Sequence, residues 1–99
     1  MKNIKFTSTA EDCAKFLNLD LYGNNVNLYQ VSDIKDDRNG CLKFCTKFDS
    51  EFVKVLNLTS ESSFVIAHID YKGFLKVPHV LSANPRLDFC KLANNFFNP

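Results

Sequence analysis

The sequence predicts an α/β domain, a small mixed β-sheet flanked by about three helices, with residues 1–99 forming one unit. Three observations carry that expectation. Ninety-nine residues with 45% hydrophobic content supply one core and no second one. Phe64-Val65-Ile66-Ala67 is a continuous apolar run, which suits a strand covered on both faces. Apolar stripes at helical spacing, each preceded by a capping residue, stand on both sides of that run.

Ser8-Thr9-Ala10-Glu11 has the capping-box form, so a first helix is expected to start there. Ala10, Cys13, Ala14 and Leu17 follow on one face, and the helix should end near Asn18. Gly23-Asn24-Asn25 separates Leu19–Tyr22 from Val26–Val31, and Gly and Asn tolerate the positive φ of tight turns. These two segments read as a hairpin. Ser32 to Gly40 reads as a loop, after which Leu42 and Phe44 alternate with Cys41, Lys43 and Cys45 in a strand.

Phe48, Phe52, Val55 and Leu56 return to helical spacing, with Asp49 as N-cap, a staple between Phe48 and Val53, and an end near Asn57. The apolar run at residues 64–67 follows, then a turn at Tyr71-Lys72-Gly73 and a short strand at His79-Val80-Leu81. Pro78 stands at the start of that strand, where its missing N–H costs least. Asn84 and Pro85 open a last helix as N-cap and first helical residue. Leu87, Cys90, Ala93 and Phe97 make one apolar face that Phe89, Leu92 and Phe96 widen.

Composition excludes several classes of function. A formal net charge of +1 offers no basic stripe for a nucleic-acid backbone. The first residues, Met1 to Thr7, lack the apolar stretch of a signal peptide, and no run is long enough for a membrane span. The expected location is the cytoplasm. There Cys13, Cys41, Cys45 and Cys90 read as buried thiols rather than disulfides.

Cys41 and Cys45 lie about 13 Å apart along one strand face, unlike the close pairs of zinc sites, so no metal is expected. His68 and His79 read as strand-end histidines, and no thiol–imidazole signature marks a nucleophile. Gly23, Gly40 and Gly73 are too scattered for a phosphate-cradling loop. No catalytic residue and no cofactor are assigned. What does stand out is Phe44-Cys45-Thr46-Lys47-Phe48-Asp49-Ser50, a strand end running into a helix start. Such a junction offers aromatic rings beside free backbone donors, although the same rings also fit a plain core role.

The order of these pieces resembles the N-terminal, non-repeat domain of the UDP-3-O-acylglucosamine N-acyltransferases of lipid A synthesis. Ala10 to Leu17 is similar to that family's first helix, and Leu21-Tyr22-Gly23 with Val31-Ser32-Asp33-Ile34 resembles its hairpin region. Gly40-Cys41-Leu42-Lys43-Phe44 resembles its G-D-L-T-F strand. Asn84 to Ala93 resembles its N-P-R-L-A-F-A-K-L-A helix.

The resemblance implies a module that binds the uracil of a UDP-sugar and is non-catalytic by itself. The family's catalytic His belongs to a hexapeptide-repeat β-helix, and those repeats are not in this sequence. A homotrimer is expected only if that β-helix follows, and a monomer for this chain. The family's F-x-x-N-P-x-Y segment maps onto Phe44, Lys47 and Ser50, so only the first aromatic is kept. The implied nucleotide site comprises Phe44, Lys47, Phe48, Ser50, Phe52 and Asn84. Phe48 or Phe52 stands in as the second ring, and Lys47 meets a phosphate. The alternative is a stand-alone interaction or assembly module that keeps the fold without nucleotide binding.

Overall fold

The apolar run at residues 64–67 lies in the interior of the sheet, with every residue fully buried. The computed structural model describes residues 8–96. The elements are β1 (Ser8–Thr9), α1 (Ala10–Leu17), β2 (Asn27–Leu28), β3 (Gln30–Val31), β4 (Cys41–Cys45), α2 (Ser50–Thr59), β5 (Phe64–His68), a 3₁₀ turn (Ile69–Tyr71), β6 (His79–Ser82) and α3 (Pro85–Phe96). β3, β4, β5 and β6 form a parallel sheet in that order, while β1 and β2 pair antiparallel as a separate ribbon. The expected α/β class and mixed sheet are therefore found.

Strand alternation splits β5 between two cores. Phe64 and Ile66 pack with Ala10, Cys13, Ala14, Leu28, Leu42, Val80 and Leu92 on the side of α1 and α3. Val65 and Ala67 pack with Cys45, Leu56, Tyr71, Leu75 and Val77 on the side of α2. Each fully buried aliphatic or aromatic side chain contributes about 1.5–3 kcal/mol, so neither face is dispensable. The radius of gyration, 12.3 Å, is close to the roughly 13 Å of a compact 100-residue domain.

Several boundaries differ from expectation. The cap of α1 is Thr9, whose hydroxyl accepts the Asp12 N–H at 3.1 Å, one residue later than the Ser8 capping box. Ser8 is buried in β1, and the Glu11 carboxylate turns to Lys15. α1 ends as expected, with Asn18 in the left-handed conformation. α2 is capped by Asp49 as expected and runs two residues past Asn57 to Thr59. β6 gains Ser82, and the turn at Gly73 follows the 3₁₀ segment.

The expected hairpin does not form. Tyr22 instead bridges His79, each backbone N–H donating to the other's carbonyl at 2.9 Å. Asn27 and Leu28 pair back to β1, and Gln30 and Val31 run parallel to β4. Gly40, at φ +73°, is required where the chain re-enters the sheet, because a Cβ there would stand 2.2 Å from the Tyr29 ring.

The buried face of α3 is also rotated from the expected one. Pro85 and Leu92 are buried and Phe89 and Phe96 pack on the first core, whereas Leu87 and Cys90 are exposed. Phe44 against Phe89 and Phe16 against Phe96 decide this, with ring centroids 4.4 and 5.5 Å apart. Phe97 lies outside the described residues. The cysteines divide accordingly. Cys13, Cys41 and Cys45 are buried thiols, while Cys90 is exposed, against expectation.

Candidate functional site

Because β3 to β6 are parallel, their carboxyl ends share one edge, and α2 and α3 begin just beyond it. Open α/β sheets bind their ligands at this edge, where loops and helix N-termini converge. The register brings Cys45 beside Ala67 and His68 beside Ser82. The segments that form the rim are therefore residues 46–51, 68–72 and 82–88.

Both helix starts are tightly capped. Asp49 Oδ1 accepts the Glu51 N–H at 2.8 Å, and Asn84 Oδ1 accepts the Leu87 N–H at 3.3 Å. Ser82 Oγ accepts the Asn84 N–H at 3.0 Å and donates to Asp88 Oδ2 at 2.5 Å. The Asn84 carboxamide is thus partly engaged as a cap, and its remaining N–H₂ is the group left to offer a ligand.

Phe44, Lys47, Ser50 and Asn84 all fall at or near this edge. Phe44 is half-buried on the α1/α3 face with Phe89 over it at an interplanar angle of 37°. Lys47 and Ser50 are exposed, and the Lys47 carbonyl accepts the Tyr71 hydroxyl at 2.6 Å. Phe48 and Phe52 are elsewhere. They pack in the α2-side core, Phe48 lying 5.0 Å from both Tyr71 and Phe74. The sheet stands between them and Phe44, so neither supplies a second ring for a base resting on Phe44.

Neither Cys13 nor Cys45 is set up as a nucleophile. Burial pushes the Cys13 thiol up to about 11. Burial also raises Cys45 and Tyr71, whose Sγ and Oη meet at 2.8 Å. His79 is buried, stacked on Tyr22 with ring centroids 5.2 Å apart, and its Nδ1 lies 2.7 Å from the Val77 carbonyl. Burial holds it below the ordinary histidine range and neutral. Among the described residues no group of three or more His, Cys, Asp or Glu side chains is arranged to hold a metal, and no helix is long and apolar enough to cross a membrane.

One residue escapes the sequence reading, and one strand-end histidine is found where it was expected. Lys43, on the strand face shared with Cys41 and Cys45, is completely buried. Its Nζ donates to the Asp36 carbonyl, to Ser60 Oγ at 2.9 Å and to Thr59 Oγ1 at 3.3 Å. Alternation alone gives no hint of this, since both sheet faces are covered. His68 closes β5 at the rim. Its Nδ1 accepts the Asp70 N–H at 3.1 Å, and Asp70 Oδ2 lies 3.3 Å from the same nitrogen.

No family model matches the chain, and the curated proteins contain no match to it.

Proposed function

We propose that this chain is the UDP-sugar (uracil) recognition module of a bacterial UDP-sugar acyltransferase of the lipid A type, working in the cytoplasm and non-catalytic by itself. The observation that carries the reading is the position of Phe44. It is a partly exposed aromatic near the carboxyl edge of a parallel sheet, flanked by the starts of two helices. Gly40–Phe44 runs up to that edge and Asn84–Ala93 starts from it; both resemble the family's segments, the second most specifically.

Stacking a base on one aromatic ring is worth about 1–3 kcal/mol. Phe44→Ala is therefore expected to weaken UDP binding roughly 5- to 150-fold. Equal affinity in the variant, with the fold intact by circular dichroism, rejects the reading. A second reading, a module that keeps the fold without binding nucleotide, is favoured by the commitment of Phe48 and Phe52 to the opposite core. Absence of any UDP binding selects it.

A further inference from the structure

The end of β5 carries a hydrogen-bond donor that the resemblance does not assign. Phe44 pairs with Ile66, and Ile66 with Val80. Alternation puts His68 on the face of Ile66 and so on the face of Phe44, diagonally one strand over. Two residues of rise at about 3.3 Å and one strand spacing of about 4.8 Å separate their Cα atoms by roughly 8 Å. Both side chains leave the same face of the sheet, Phe44 half-buried beneath Phe89 and His68 at the rim.

The ring of His68 is held in one sense. In the neutral form Nδ1 accepts the Asp70 N–H, which puts the proton on Nε2. In the charged form Nδ1–H turns to the Asp70 carboxylate, 3.3 Å away, and Nε2 still bears a proton. Nε2–H is a donor in either state. Its side chain is 27% exposed, and among the described residues nothing accepts from Nε2.

The charge on the rim selects the acceptor. Asp70 Oδ2 stands 3.3 Å from His68 Nδ1, so an uncharged carbonyl suits the Nε2–H beside it better than a phosphate does. Uracil presents a carbonyl oxygen at the position where cytosine presents an amino group, itself a donor.

We infer that His68, through Nε2–H, is the residue that makes this site prefer uracil to cytosine. The inference rests on the uridine reading above. The test is NMR titration of the whole chain with uridine monophosphate and, separately, cytidine monophosphate.

The wild type is expected to bind the uridine nucleotide about 3- to 10-fold more tightly, the range of one net hydrogen bond. In His68→Ala the uridine affinity falls to the cytidine level. In His68→Gln the ratio approaches one, because a carboxamide turns either a donor or an acceptor to the base. If the alanine variant does not fold, the glutamine variant decides. A ratio unchanged in the folded variants, with Phe44 resonances still responding, overturns the role of His68 and leaves the uridine reading intact. Failure of the wild type to bind either nucleotide overturns both.

Discussion

Lys43 is the side chain whose loss the structure prices most clearly. Its ammonium is fully buried and meets no carboxylate directly. It joins the Ile34–Asp36 loop to the C-terminal turn of α2, where Thr59 and Ser60 lie at the negative end of the helix. Lys43→Met preserves the length and removes the charge. Thr59 Oγ1 keeps the Val55 and Ile34 carbonyls at 2.8 and 3.0 Å, and Ser60 Oγ keeps Thr59 Oγ1 at 3.4 Å. The Asp36 and Thr59 carbonyls are the groups stranded.

Hydrogen bonds from a charged donor contribute about 1.5–3 kcal/mol each, and a stranded buried acceptor costs about 1–3 kcal/mol. Against this stands the desolvation of the ammonium, which methionine avoids and which also lowers the lysine's affinity for its proton. The expected net loss is about 2 kcal/mol. For a domain of this size that is a fall in Tm of about 8–16 °C. Urea denaturation gives the free energy, and hydrogen exchange should show the amides of residues 34–38 losing protection first. A Lys43→Met variant as stable as the parent, or more so, refutes the reasoning and makes the buried ammonium a tolerated cost.

Other outcomes follow from individual residues. Burial holds His79 neutral, while the unfolded chain takes up a proton near 6.5. Its contribution to stability is therefore fully present above that pH and is lost as the pH falls below it, and His79→Gln should flatten that slope in urea midpoints measured from pH 8 to pH 5. The isolated chain, given a UDP-sugar and an acyl-carrier thioester, should show no acyl transfer. Turnover abolished by His68→Ala would sink that expectation. Light scattering should return the monomer mass, and a stable trimer at micromolar concentration contradicts it.

The three elements β4, α2 and β5 were legible because their signals are local, while their parallel pairing was not. Asp49 caps where a cap is needed, and an apolar run without alternation marks a strand covered twice. The strands around Gly23 were not legible, because Tyr22 finds His79 and Asn27 finds Thr9, partners no neighbouring residue announces. In α3 two apolar stripes compete, and the ring contacts Phe44–Phe89 and Phe16–Phe96 choose between them. Lys43 shares its strand face with the buried Cys41 and Cys45, but the carbonyls and hydroxyls that hold its ammonium come from distant segments that no local pattern announces.

The placement of the candidate residues was partly legible. Phe44, Lys47, Ser50 and Asn84 gather at the carboxyl edge because strand ends and helix caps can be read from sequence. Which face each ring occupies cannot be, and it is the face that takes Phe48 and Phe52 away from Phe44. His68 was visible only as the last residue of an apolar run. Its partner Asp70 is set by the 3₁₀ turn that follows, and its diagonal relation to Phe44 depends on the parallel register.

The most direct test of uridine recognition is a chemical-shift titration of the chain with UDP. Millimolar affinity, about −4 kcal/mol, is sufficient to detect. The account predicts shifts gathered at Phe44, Lys47 and Ser50, at His68 and near Asn84, with the α2-side residues Phe48, Phe52 and Phe74 responding little. A folded protein whose resonances in those rim segments do not move at saturating UDP contradicts it.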